Sequence, residues 1–135
     1  MLVPRIILTI SAFLFGVAPL LVDLSTSHVF NADWPPHARF HIVWLLGMLA
    51  MAGVVTVIGA WTVNPGQKLY MKLTTLPGWL VLVPFFVAAL LIETYGGSLS
   101  GLPNSPKVFG LDGNVVLFSV SAVFQGSASV MVWRR

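Results

Sequence analysis

The 135-residue chain has no cysteine, which excludes disulfides, thiolate metal sites and cysteine nucleophiles. Acids are scarce: Asp23, Asp33, Glu93 and Asp112 are the four the sequence holds. Charged residues of both signs make up 8% of the chain, against about 25% in ordinary soluble domains. Hydrophobic residues fill 57% of it. A chain this short has too little interior to hide that much apolar surface from water. A lipid bilayer removes the conflict, so one small membrane domain spanning residues 1–135 is expected.

The formal charge of +3 rests on only seven Lys and Arg. They are dispersed, with no basic stripe and no aromatic-flanked patch, so no nucleic-acid partner is indicated. They read as anchors at the ends of membrane helices.

Four apolar runs stand out, from about Ile6 to Val22, Phe40 to Val63, Leu76 to Ile92 and Val115 to Trp133. At 1.5 Å per residue each covers about 26–36 Å, enough to cross the hydrocarbon core. Bilayer interiors admit helices or closed barrels, and continuous rather than alternating apolar runs indicate helix. The fold class is therefore all-α, an integral membrane four-helix bundle. The first run, behind Arg5, has the look of a signal peptide but lacks a small-x-small cleavage site, so it is read as a true first helix. Asn64-Pro65-Gly66-Gln67 is a turn that folds the second and third helices into a hairpin. The connection from Gly96 to Asn114 is long and rich in Gly, Ser and Pro, suited to a binding loop or to a plain connector.

Basic residues set the expected orientation. Arg5, Lys68, Lys72, Arg134 and Arg135 lie on the side of the termini, against Arg39 and Lys107 on the other. Both termini are thus expected in the cytoplasm, with the first and third loops on the non-cytoplasmic side. Within the helices, Pro19 and Pro84 are expected kinks. Gly47, Ala50 and Gly53 read as close helix contact, and Ser121, Gln125 and Ser129 as a small polar face. Gln125 is also a candidate for lining a ligand cavity. Trp34, Trp61, Trp79 and Trp133 sit where interfacial anchors belong.

The chemistry of the chain is concentrated in and beside the two loops of one end. Asp23 closes the first helix there, and Glu93 closes the third. Pro35 and Pro36 open the second helix, with Asp33 placed to cap it. His37 and His41 then share a face four residues apart, with Trp44 one turn further on. Arg39 points elsewhere, toward Asp33 or Asp23. Two histidines at this spacing suit a metal ion completed by Glu93, Asp23 or His28, although no third ligand stands at helical spacing. They also suit acid–base work, with His37 and His41 exchanging protons and Glu93 as the paired carboxylate. An acid at the end of an apolar run is a costly placement, and such acids are often functional. Asp23, His28, Asn31, Trp34, Arg39 and Trp44 would form the surrounding binding shell. Equally, these groups would serve by bonding to one another and fixing the loop on the bundle.

The stretch Asp23-x4-His28-x2-Asn31-x2-Trp34-Pro35-Pro36-His37-Ala38-Arg39-Phe40-His41 resembles the signature of small four-helix bacterial and fungal membrane proteins of unknown function. In layout the chain is more distantly similar to the emopamil-binding and sigma-2-receptor group. That resemblance implies a pocket for sterol-like molecules, with Asp23, Glu93 and Trp34 in comparable parts and isomerisation as an activity. The chain is shorter than that group, and its acids do not align with the group's motif.

The functional expectation is an acid–base enzyme on a lipid-soluble, isoprenoid- or sterol-like substrate. The alternatives are a non-catalytic accessory subunit or hydrophobic-ligand binder, and a metal-binding protein. The bilayer is the expected partner, with a homo-oligomer or a membrane partner left open. Whether a cofactor takes part is left open.

Overall fold

In the computed structural model residues 1–99 and 107–134 are described. Among the described residues, four helices are long and apolar enough to cross a bilayer: α1 (Leu2–Asp23), α2 (Pro36–Thr62), α3 (Lys68–Leu90) and α4 (Gly113–Trp133). The shortest, α4, has 21 residues, about 31 Å at helical rise against a hydrocarbon thickness of about 30 Å. The expected all-α membrane bundle is what forms, and its outer surface shows why lipid is its solvent. Leu80 is 75% exposed and Leu90 84%, and apolar side chains cover the outside of every helix. In water such a surface would drive aggregation.

Cross-helix bonds fix the arrangement. Arg5 Nη2 donates to Val63 O at 2.7 Å, placing the start of α1 beside the end of α2. Trp133 Nε1 donates to Thr75 Oγ1 at 3.3 Å, placing the end of α4 beside the early part of α3. Leu8, Ala60 and Ala128 form a buried cluster near this end. Ala12, Phe15, Leu82 and Phe118 form another further along, where Phe85 stacks on Phe118 with ring centres 4.1 Å apart. The helix limits differ from the apolar runs, because helices continue past the oily stretch into polar ends. Thus α3 begins at Lys68, and Thr74 and Thr75 interrupt it by returning their hydroxyls to Met71 O (2.7 Å) and Lys72 O (2.8 Å).

Pro19 acts on α1 in a specific way. Lacking an N–H, and crowding the carbonyl four residues before it, proline cannot continue the α-helical ladder. The preceding turn, Phe13–Val17, is a π-turn, with Ala18 N–H reaching back five residues to Phe13 O. The expected kink is thus a widened turn. The helix around Pro84 continues through it from Leu76 to Leu90.

The π-turn lies where α1 meets α2 most closely. A Cβ on Gly16 would stand 3.1 Å from Leu49 O and 3.2 Å from Gly53 Cα. A Cβ on Gly53 would stand 3.2 Å from Ala12 O. The two backbones therefore touch, as small residues permit between membrane helices. Of the glycines singled out on α2, Gly53 makes this contact and Gly47 has nothing within 4 Å of where its Cβ would be.

A polar seam joins the other pairs. Ser11 Oγ donates to Gln125 Oε1 (3.0 Å) and lies 3.2 Å from Ser121 Oγ. Gln125 Nε2 donates to Thr75 O at 2.7 Å. Gly78 makes room for this amide, since a Cβ there would meet it at 2.5 Å. Trp61 and Trp79 also bond across the bundle, to Thr9 Oγ1 (2.9 Å) and Ser129 Oγ (3.0 Å).

The long third connection carries structure that composition did not reveal. Ile92–Tyr95 is a 3₁₀ turn. Lys107–Val108 pairs antiparallel with Leu111–Asp112, Lys107 opposite Asp112. Phe109 and Gly110 make the turn, with φ of 52° and 79°. Two positive φ values in a two-residue loop define a type I′ turn, which favours Asn or Asp before Gly. A phenylalanine there costs about 1–2 kcal/mol of left-handed strain.

Gly53→Leu should overpack the α1–α2 contact and destabilise the bundle by about 1–3 kcal/mol. Gly47→Leu should leave stability within about 0.5 kcal/mol of the parent. Thermal unfolding in mild detergent measures both, and equal losses would contradict the assigned contact.

Candidate functional site

The loop from 24 to 35 does not trail into solvent but folds onto the helix ends. Val29 N–H bonds to Asp23 O at 3.1 Å and Phe30 N–H to Ser25 O at 2.9 Å. Val29 is buried, packing with Leu46 and Leu49 against Leu20, Ile42 and Val81. This one apolar side chain pins the middle of an otherwise polar loop.

The polar groups then bond mainly within the loop. His28 Nδ1 lies 3.6 Å from Asp23 Oδ1 and 2.9 Å from Ser27 Oγ, which is 2.8 Å from Ser25 Oγ. The His28 ring meets Trp34 edge-on, centroids 5.6 Å apart. Asn31 Nδ2 donates to Ser27 O at 3.3 Å, and its Oδ1 accepts from Asp33 N–H at 2.9 Å. Asp33 was placed by sequence as the cap of α2. In the structure Pro35 holds that position with no side-chain cap bond, and Asp33 belongs to the turn built on Asn31.

Arg39 also departs from expectation. It reaches neither Asp33 nor Asp23. Its Nε (3.1 Å) and Nη2 (3.0 Å) both donate to Trp34 O, and Nη2 also donates to Ala32 O at 3.3 Å. The planar fork suits carbonyls converging from one short stretch of backbone. Asp23, His28, Asn31, Trp34 and Arg39 thus come together as the internal framework of the loop.

His37 and His41 stand apart from that framework. Their Nε2 atoms are 2.9 Å apart and the rings are perpendicular, centroids 4.4 Å apart. Both are exposed. An N–H···N bond needs one protonated and one bare Nε2. The pair keeps its bond when neutral or with one extra proton, and loses it with two. Phe40 and Trp44 flank the imidazoles, Trp44 with its centroid 6.0 Å from His41. Beside them, Phe40, Val43 and Trp44 bound a shallow depression of about 370 Å³.

Glu93 lies exposed on the 3₁₀ turn and forms no hydrogen bond or ion pair with either histidine. The sequence-expected trio of His37, His41 and Glu93 is not joined by direct contact. Among the described residues, no three His, Asp or Glu side chains stand close enough to share a metal ion. Gln125 is fully buried, with its oxygen and nitrogen taken by Ser11 and Thr75.

The feature that sequence reasoning missed is a groove of about 320 Å³ between α1 and α2. Thr9, Phe13, Gly16 and Val17 line one wall, and Ala50, Gly53, Val54, Val57 and Ile58 the other, with Ala12 and Leu20 completing it. Two signals pointed to it. Ala12-x3-Gly16 is a small-x3-small pattern, and Pro19 disturbs the same stretch. The groove and the histidines do not share a face: nine residues separate His41 from Ala50, which is about half a revolution around α2.

Arg39→Lys should loosen the loop, because an ammonium cannot hold Trp34 O and Ala32 O with a fork. Amide exchange over residues 24–34 should rise about tenfold, as expected for a charged, partly exposed hydrogen bond of about 1–1.5 kcal/mol. Hydrogen-exchange mass spectrometry reads this directly, and unchanged protection would remove Arg39 from the framework.

Neither the curated proteins nor the solved structures contain a match to this chain. A family model does match, over residues 7–135, nearly the whole length. The chain belongs to that family, described as a family of unknown function, DUF6640.

Proposed function

We propose that this integral membrane protein binds a lipid-soluble molecule of isoprenoid- or sterol-like character in the groove between α1 and α2. The carrying observation is the groove itself, about 320 Å³ with almost wholly apolar walls. That lies at the lower end of small-molecule sites, and suits a narrow chain or part of a flat ring system. The π-turn of Phe13–Val17 forms one wall, and such turns often occur at functional positions. Thr9 Oγ1, at the edge of the groove, accepts from Trp61 Nε1, so a ligand meets few free polar groups. Selection then rests on shape. The architectural resemblance to the emopamil-binding group supports the same ligand class by analogy alone.

Photolabelling with a diazirine analogue of cholesterol or farnesol in nanodiscs tests this reading. Adducts should concentrate on residues 12–17 and 50–58. Ala50→Phe, which fills the groove, should reduce labelling there at least about fivefold, about 1 kcal/mol of binding. Labelling spread evenly over all four helices would show annular lipid only and end the proposal.

The His37–His41 bond favours a second reading, proton transfer to or from a lipid-soluble substrate at the loop end. The imidazoles would exchange the proton, the Phe40–Trp44 depression would seat the reacting group, and Glu93 would act through a water or through the substrate. The loop framework of Asp23, His28, Asn31, Trp34 and Arg39 would hold the start of α2. In this reading His37→Ala, His41→Ala and Glu93→Gln shift the double-bond isomers of the cell's isoprenoid or sterol pool in the same direction. The expected change is on the order of 10²-fold in conversion. A pool unchanged by all three, with groove labelling intact, would leave binding as the whole function.

A further inference from the structure

The hairpin preceding α4 presents an apolar tip where the bilayer surface must lie. The 21 residues of α4 match the hydrocarbon thickness of about 30 Å, so Gly113 stands near the hydrocarbon boundary at that end. Phe109 is four residues before Gly113, a reach of about 13 Å at most for extended chain. The headgroup layer on each side is about 5–8 Å thick. A hairpin inclined steeply away from the membrane normal keeps Phe109 within that layer. Asn114 Nδ2, bonded to Leu99 O at 3.0 Å, ties the base of the connection to its first part.

The chemistry of the tip agrees with that depth. Val108, Phe109 and Leu111 are all exposed, Phe109 at 97%, while Lys107 and Asp112 face each other across the base. The tip is apolar and the base charged. The turn itself favours Asn, Asp or Gly at the position Phe109 occupies. A bulky residue kept in left-handed backbone despite better turn formers points to a use for its ring. One ring and two aliphatic side chains are too small for a stable protein interface, which needs about 1,000 Å², but they suffice as a membrane anchor.

We propose that the Lys107–Asp112 hairpin is an interfacial anchor whose Phe109 ring inserts at the headgroup–acyl boundary of the leaflet at the loop end. Insertion fixes the depth of the start of α4 and holds the Lys107–Asp112 hairpin against the membrane. It is independent of what the α1–α2 groove contains.

The absence of native cysteine makes the test clean. Phe109→Cys and, as an aqueous reference in the first loop, Asp33→Cys are each labelled with a nitroxide. Both are placed in nanodiscs of phosphatidylcholine and phosphatidylglycerol. Power saturation then compares collisions with oxygen and with a water-soluble nickel chelate. At position 109 the nickel accessibility should be at least about fivefold below that at position 33, with oxygen accessibility raised, as expected within the interfacial layer. Equal nickel accessibility at the two positions would overturn the anchor. So would exclusion of both reagents at position 109, which would mean contact with protein. Should Phe109→Cys fail to fold, Val108→Cys and Leu111→Cys carry the same expectations.

Discussion

Oily helices in an oily solvent have no hydrophobic reason to associate, and this constraint governs the structure. Lipid tails satisfy an apolar side chain as well as a neighbouring helix does. Association must come from close packing, where lipid would leave gaps, and from polar groups that lipid cannot satisfy. Both are present and they are divided between helix pairs. Gly16 and Gly53 bring the backbones of α1 and α2 into contact. Ser11, Ser121, Gln125 and Thr75 join α1, α4 and α3 through hydrogen bonds. Three tryptophans extend the second device, each donating its indole N–H to a hydroxyl on another helix. Most other side chains are left free to face lipid.

That division explains which parts of the fold were legible in sequence. Apolar runs and basic flanks report on the bilayer, so the four spans could be read directly. The Ser121–Gln125–Ser129 spacing also reported correctly on a polar face, because an unpaired amide in hydrocarbon is too costly to leave without a partner. Close contact between glycines was harder to place. Gly47 and Gly53 look alike in sequence, and only the rotation of α2 determines which meets a neighbour. The groove was harder still, since it arises from the space left over where two backbones touch on one side of Ala12 and Gly16. The small-x3-small pattern of Ala12 and Gly16 marks the contact but not the space left beside it.

The loop end shows a different limit. His28, Asn31, Trp34 and Arg39 were visible as a cluster, yet spacing alone does not say whether such groups face a ligand or each other. Val29 turns the loop onto the bundle by its burial, and it is an ordinary residue in a polar stretch. Once it is pinned, the short loop brings the carbonyls of Ala32 and Trp34 within reach of Arg39, so the guanidinium finds backbone before it finds an acid. His37 and His41 remain outside because they lie on the first turns of a helix, on a face turned away from the loop's interior. The long connection before α4 could be read as a loop but not as a hairpin, since Phe109 occupies the place where a turn signal would stand.

The π-turn in α1 has a consequence for how that helix serves two neighbours. One extra residue in the ladder sets the segment after Val17 out of register with the segment before Phe13. Leu8 and Ser11 are thereby free to face α4 while Leu20 joins the cluster beneath the first loop, something one uninterrupted α-helix would align less freely. The helix behaves as two half-rods with separate azimuths, coupled at a single joint. Loss of one residue inside that joint would twist one half relative to the other, so the joint constrains the length of α1 as well as the size of the residue at Gly16.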